Sequence, residues 1–424
     1  MTIPRKLVNL ISDGYIVYVY ILSSFAFVTL ILGDSSTPDD GSGTSPVFKI
    51  AWGIVYAVSV LRIYRHRHEA IELIRANKII VFMVLLAFFS YRWSIDSSTT
   101  LQYGARLLFT TIFIMDLSLR YSLKRQLQLL CAALLLTIGM SVIAEVFFPG
   151  LIPSQQIEVG AWHGIFPFKN DFGRIICLGT IACLALSRPS TLRRGLILVS
   201  GIVLAILSQS ASAVGYTLFL AMVMVMWSVL KWRPKPRLAA LLLLSVTAVF
   251  AIRYVSQNFD QLLAKMDKDP HMTGRVDLWE YSIDYIQQRP LLGYGYTAFW
   301  GVDSQPARRI REAVHWDDAP HAHNAYIDLA LSLGMVGLVT YFVMYFIVVK
   351  RSFRFFMSGP ENYRRWPLSY MAFVLIYQCT ESGIVGGNNI LWIIFGSIAF
   401  SLSIPQEDFA VQEDTPLPAA VAVA

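Results

Sequence analysis

Helix-length apolar runs separated by short polar connections fill the chain, and the pattern breaks once, at the long polar stretch of residues 256–324. The runs at 15–33, 47–63, 79–93, 102–119, 126–147, 171–187, 195–210, 212–230, 238–255, 325–349, 367–383 and 388–404 predict twelve membrane-crossing helices. They are too long for barrel strands, which cross with about 9 to 11 alternating residues. Lipid offers the backbone no hydrogen-bond partner, so runs of this length must pair internally as α-helix. The third and seventh are shorter than the ~20 residues that cross comfortably, which leaves room for a re-entrant segment. The expected organisation is all-α: nine spans in residues 1–255, a large loop at 256–324, three spans in 325–404, and a disordered cytoplasmic tail at 405–424.

Charge orients these spans. With the N-terminus inside, Arg5 and Lys6, Arg62 to Lys78, Arg120 to Arg125, Arg188 to Arg194, Lys231 to Arg237 and Lys350 to Arg365 all fall on the cytoplasmic side, as the positive-inside rule requires. Asp34, Asp39, Asp40 and the large loop then face outward. Composition agrees, with 55% hydrophobic and only 15% charged residues and a mean hydropathy of +0.54, against roughly 25% charged in soluble domains. The net charge of +7 is accounted for by this topology and by contact with membrane lipids, and no basic cluster interleaved with aromatics points to nucleic acid. The first apolar run is too long for a signal-peptide core and has no small-residue cleavage site before Gly33, so it is expected to remain as a span. Cys131, Cys177, Cys183 and Cys379 all lie in predicted helices, so neither a disulfide framework nor a thiolate metal site is expected.

Candidate chemistry gathers at the outer ends of the helices. Tyr91-Arg92-Trp93-Ser94-Ile95-Asp96 follows the third run and reads either as an aromatic interfacial anchor or as part of a site. Lys169, Asn170 and Arg174 open the sixth helix; if Asn170 or Asp171 caps it, its amide groups and the two cations form a place for phosphate, the alternative being an ordinary cap with snorkelling cations. Ser208 to Ser212 make a sharp hydroxyl-rich turn. In the large loop Arg275 and Trp279 stand four apart and share a helix face, Arg289-Pro290 ends that helix, and Gly293-Tyr294-Gly295 turns the chain. His321-Ala322-His323-Asn324 closes the loop at the mouth of the tenth run, where an imidazole with near-neutral pKa suits removal of a hydroxyl proton. Gly334 and Gly337 allow close packing just beyond it. His321 and His323 with His315, Asp317 and Asp318 could assemble a metal site, but the spacing is no specific ligand signature, and no metal or other cofactor is expected.

Five of these elements, in this order, resemble the O-antigen ligase and Wzy-type polymerase superfamily, in its exopolysaccharide polymerase (ExoQ-like) branch. They are Trp93-Ser94-Ile95-Asp96; Gly164-Ile165-Phe166 with Lys169-Asn170 and Gly173; Gly274-Arg275 with Trp279; Arg289-Pro290-Leu291-Leu292-Gly293-Tyr294-Gly295; and His323-Asn324 followed at family spacing by Gly334 and Gly337. The resemblance implies a GT-C-like, metal-independent glycosyltransferase of the bacterial inner membrane. Its donor would be an undecaprenyl pyrophosphate-linked oligosaccharide, used at the periplasmic face on a glycan acceptor, with a chain-length regulator and a flippase as pathway partners. It implies His323 as general base and Arg275 and Arg289 on the leaving pyrophosphate. Lys169, Asn170, Arg174, Trp279, Tyr294, His321, Asn324 and Tyr326 would contact substrate. The family's basic residue in the serine-rich turn is replaced here by Ala211. Polymerase and ligase both remain open. A transporter or flippase, suggested by Arg106, Asp116, Glu145 and Glu381 in apolar runs, is the reading from another class, although no internal repeat supports it.

Overall fold

A computed structural model describes residues 5–28, 46–150, 160–187, 190–230, 235–237, 275–317, 319–383 and 385–403. All regular structure among them is helical: α1 (Arg5–Ser23), α2 (Pro46–Arg65), α3 (Arg67–Ala76), α4 (Lys78–Phe89), α5 (Ser97–Arg120), α6 (Leu123–Phe147), α7 (Lys169–Leu186), α8 (Thr191–Leu207), α9 (Ala211–Leu230), α10 (Arg275–Gln288), α11 (Gln305–Ala313), α12 (Ala325–Met357), α13 (Trp366–Tyr377) and α14 (Ile390–Ser401). The ninth apolar run, residues 256–274 and 318 of the large loop, the aspartates at 34, 39 and 40, and the tail after residue 403 lie outside the described residues.

Among the described residues three helices are individually long and apolar enough to cross a bilayer, α2, α6 and α12, and α3 with the Lys78–Arg92 segment forms a pair bent by 93°. The 12-residue α13 and α14 rise only about 18 Å at 1.5 Å per residue, short of a hydrocarbon core of about 30 Å. The α1 helix begins at Arg5, earlier than the apolar run suggested, because its polar side has partners: the Ser12 and Tyr121 hydroxyls are 2.7 Å apart and Arg125 reaches Asp13 at 2.5 Å. Large apolar side chains stand mostly exposed along the bundle, among them Leu10, Ile50, Leu61, Phe147, Leu192 and Phe346. Soluble monomers rarely expose so much apolar surface. On a bundle of apolar helices it is the face that meets lipid, and the chain is a membrane protein.

The break in α12 positions everything above it. Gly334 adopts φ +63° inside the helix, so the Met335 and Val336 N–H groups lose their partners four residues back, the carbonyls of Leu331 and Ser332. The segment after α10 replaces both sides of both bonds. Met335 N–H donates to Pro290 O at 2.7 Å and Val336 N–H to Leu291 O at 3.2 Å, while Leu331 O and Ser332 O accept from the N–H groups of Tyr294 at 2.8 Å and Gly295 at 3.0 Å. Non-helical backbone at this depth is tolerated because it is buried in protein and fully paired. The expectation of close packing at Gly334 is thus answered by an insertion: a Cβ there would sit 2.2 Å from Leu291 O, and one on Gly293 2.5 Å from Leu331 O.

The inserted segment also docks the third-run motif. Ile95 N–H donates to Tyr294 O at 3.0 Å and the Trp93 indole to Leu292 O at 2.9 Å, and a Cβ on Gly295 would strike Ser94. Around it Leu278, Tyr294, Phe299, Trp300, Ala307 and Ile310 build a separate small core. Its rings meet edge to face with centroids 5.1–6.2 Å apart, a geometry worth about 0.5–1.5 kcal/mol per pair beyond burial. The described part of the large loop is therefore a folded cap.

Candidate active site

The residues before α12 form a short loop held from every side. Ala322 O accepts from the Trp279 indole at 2.7 Å, Ala322 N–H donates to Asp328 Oδ1 at 3.0 Å, and Arg311 Nε donates to Ala319 O at 2.9 Å. Asn324 caps α12, its Oδ1 accepting from the N–H groups of Tyr326 and Ile327 at 3.1 and 3.3 Å. These contacts hold His323 at φ +50°, a left-handed conformation that costs a non-glycine residue on the order of 1 kcal/mol or more and persists only where surroundings impose it.

Placed this way, His323 faces the loop between α13 and α14. Its Nδ1 lies 3.6 Å from Glu381 Oε2, its ring stacks on Trp316 with centroids 5.3 Å apart and planes at 14°, and neither ring nitrogen makes a hydrogen bond. His321 is packed against it at 4.1 Å. The His321 Nδ1 accepts from His323 N–H at 3.1 Å, which puts the proton of neutral His321 on Nε2. Arg275 brackets the carboxylate, with Nη2 4.0 Å from Glu381 Oε1 and Nη1 donating to Thr380 O at 2.9 Å. Asn170 donates to Glu381 Oε1 at 3.2 Å and accepts from Ser210 Oγ at 2.9 Å. An imidazole, a guanidinium and a carboxylate thus meet at one helix mouth, a set that can move a proton and stabilise an anion.

Burial first, and then neighbouring positive charge (His323 beside His321, Arg275 beside His323), pushes both imidazoles down to about 3. Both are neutral at neutral pH, and the near-neutral pKa expected of an imidazole at this helix mouth is not what burial there gives. An unfolded histidine titrates near 6.5, so between that value and about 3 the unfolded chain binds protons that the native state refuses, and native stability must fall as pH falls through this window. Thermal melts in detergent are expected to drop between pH 7 and pH 5 by more in the parent than in a His321→Asn, His323→Asn double variant; equal drops would contradict it.

The structure distributes the other expected residues unevenly. Arg275 and Trp279 share a face of α10 as expected; Trp279 reaches the histidine loop at Ala322 O, and Arg275 the facing loop at Thr380 O and Glu381. Neither Asn170 nor Asp171 caps α7: the helix starts at Lys169, with Phe168 at the cap position and no side-chain cap bond. Asn170 instead bridges Glu381 and Ser210, while buried Arg174 pairs with Asp171 at 2.9 Å and donates to the Tyr377 hydroxyl at 3.2 Å. Lys169 is buried beside them. Arg289 is exposed and lies over the Tyr294 ring at 4.8 Å, with Tyr294 only 4% exposed in the small aromatic core. Tyr326 stacks on Phe342 and donates to Leu375 O at 3.0 Å, and the Asn324 side chain is taken up by its cap.

Three residues of this cluster were not assigned to it by sequence. Glu381 reads as an isolated acid near an apolar run, and only the fold shows it against His323. Asp328 accepts from Trp300 at 2.8 Å and from Ala322 N–H, and is hydrogen-bonded by Ser382, so it ties the histidine loop to the Glu381 loop. Its position in the first turn of α12, four residues after Asn324, was the available signal. Ser210, in the serine-rich turn where Ala211 stands in place of the family's basic residue, joins the cluster through Asn170. Ligand-type atoms of His321, His323 and Glu381 lie within 4.8 Å of one another, and the Arg275 guanidinium already sits on that carboxylate.

Comparison with known proteins covers the segment that carries this site. Residues 196–342, which run from α8 through the His323 loop into α12, match the family model described as O-antigen ligase. The chain is 26% identical over 250 residues to the exopolysaccharide production protein ExoQ of Rhizobium meliloti, covering 53% of this chain and 57% of that one. It is 27% identical over 202 residues to a general O-oligosaccharyltransferase of Acinetobacter baylyi, covering 43% of this chain and 34% of that protein. The matches thus span about half or less of these relatives' lengths. The motifs, the matched segment and the ExoQ likeness agree, and the chain resembles the O-antigen ligase superfamily in its ExoQ-like branch.

Proposed function

We propose that this protein is a polymerase of exopolysaccharide or O-antigen-type repeat units, moving glycan from an undecaprenyl pyrophosphate-linked oligosaccharide to an acceptor sugar hydroxyl. The observation that carries the reading is His323: a neutral imidazole whose ring nitrogens are free of hydrogen bonds among the described residues, beside the Glu381 carboxylate that Arg275 approaches from its other oxygen, in a segment that matches O-antigen ligase. His323 takes the proton of the acceptor hydroxyl as that oxygen attacks the anomeric carbon, the bond to the pyrophosphate oxygen breaks, and the configuration inverts. Negative charge grows on the leaving pyrophosphate, and a fixed guanidinium stabilises it more in the transition state than in the ground state. Arg275 stands beside the base, across the Glu381 carboxylate, and its charge is felt there. Arg289 and the start of α7, with Lys169 and Asn170, extend the surface available to the lipid phosphates, and Trp279 and half-buried Trp316 offer indoles to sugar rings. Arg275 supplies the positive charge that a metal would otherwise bring, so the reaction is read as metal-independent.

The same reading places twelve spans in the bacterial inner membrane with both termini cytoplasmic and the cap periplasmic, in a GT-C-like arrangement, working beside a flippase and a chain-length regulator. The transporter alternative loses its motive, because the polar residues behind it have structural work. Asp116 holds Arg120 at 2.9 Å and Arg62 at 3.6 Å, Glu145 accepts from the N–H groups of His163 and Gly164, Arg106 lies over Tyr103, and Glu381 belongs to the cluster. The second reading is ligase, carried by the family match itself: the same chemistry with a lipid A-core acceptor. Deleting the protein separates the two. Polymerase predicts single repeat units accumulating on the lipid carrier, whereas long lipid-linked chains that fail to transfer would assign ligase instead.

A further inference from the structure

Far from the His323 cluster, roughly 40 Å along α12 at 1.5 Å per residue, α3 meets α4 at 93° with Asn77 at the elbow. Arg351 of α12 closes the elbow, donating to Asn77 Oδ1 at 2.5 Å, Ala76 O at 2.8 Å and Ala399 O at 3.2 Å. Asn77 in turn donates to Leu73 O and Ser403 Oγ at 2.9 and 2.8 Å. Beneath lies a cavity of about 300 Å³ whose rim carries Arg75, Lys78 and Arg351 and whose walls are apolar, Met344 and Ile347 among them. Among the described residues no carboxylate lines it. Among the described residues neither Arg75 nor Lys78 makes an ion pair or side-chain hydrogen bond.

We propose that this cavity binds an anionic phospholipid, with the headgroup phosphate between Arg75, Lys78 and Arg351 and an acyl chain along Met344 and Ile347. Three cations without a counter-ion call for a negative ligand, and the apolar wall beside them calls for one that continues into hydrocarbon. The setting agrees: α3 carries exposed Ile71 and Ile74 on the helix that bears Arg75, as a helix lying at headgroup depth does. Basic pockets between membrane helices on the positive-inside face are suited to anionic headgroups, and this is the face the loop charges assign to the cytoplasm.

Two variants test it from different sides. Arg75→Gln with Lys78→Gln removes two exposed charges, and Ile347→Trp fills the apolar wall from a partly exposed position while leaving every cation in place. The full chain in phosphatidylcholine nanodiscs is titrated with phosphatidylglycerol, and retained lipid is counted by native mass spectrometry after size exclusion and a thermal melt confirm folding. The expected result is phosphatidylglycerol held in preference to phosphatidylcholine, with at least tenfold weaker retention in both variants. Equal retention of the two lipids, or phosphatidylglycerol binding unchanged in the Arg75/Lys78 variant, overturns the proposal. Displacement by equimolar inorganic phosphate, with Ile347→Trp binding as the parent does, would show a free-phosphate site and overturn it too.

Discussion

Replacing His323 by Ala is expected to abolish high-molecular-weight polymer in a complemented deletion strain, with single repeat units building up on the lipid carrier and the protein inserted at parental level. General-base catalysis contributes about 10²- to 10⁴-fold, so residual transfer measured in vitro should be lower by at least a hundredfold. The protein should survive the change, because no hydrogen bond to the ring is lost and the loop is held by Trp279, Asp328 and Arg311 through the backbone of Ala319 and Ala322; losing the stack on Trp316 should lower the melting temperature only modestly. The left-handed φ of +50° persists with Ala at a modest cost. Normal polymer from this variant would remove His323 from the chemistry. A blot showing absent protein would be settled by His323→Gln, which keeps the shape and hydrogen-bonding capacity of the side chain but cannot act as a base.

Why His323 was readable from sequence while Glu381 was not follows from how each is specified. The histidine stands at a boundary visible as a change in hydrophobicity, and Asn324 beside it is a preferred cap residue that fixes where α12 begins. Arg275 and Trp279 obey helical spacing, so their common face could be stated before any fold was known. Glu381 obeys no local rule. It enters the site because α13 stops at Tyr377 and the following loop returns beneath α10, where Arg275 donates to Thr380 O. Asn170 and Asp171 misled for a related reason: short polar residues at a helix start usually cap it, but here tertiary partners, Glu381, Ser210 and Arg174, take their side chains. Each apolar run with described residues contains a helix, because burial in lipid leaves the backbone little other choice. Their lengths were less legible, since polar flanks such as the Ser12 and Asp13 side of α1 extend a helix beyond its apolar run.

Substituting Gly334 by Ala is expected to cost roughly 2–5 kcal/mol, combining left-handed backbone strain with a steric clash. It should lower the yield of folded protein and its melting temperature in detergent. The added methyl would lie 2.2 Å from Leu291 O and 2.5 Å from Leu292 N, backbone atoms that cannot turn aside. Relief requires withdrawing the Pro290–Gly295 segment, which would strip four backbone groups of α12, the carbonyls of Leu331 and Ser332 and the N–H groups of Met335 and Val336, of their partners. The same withdrawal frees the end of α10, the helix that presents Arg275 and Trp279, so protein that does insert should also transfer glycan poorly. Gly139→Ala serves as the control. That glycine lies within α6, and a methyl group added to it would meet nothing within 4 Å, so Ala there is expected to be neutral or stabilising by up to about 1 kcal/mol. If Gly334→Ala melted and transferred like Gly139→Ala, the break in α12 would not be what holds the site in place.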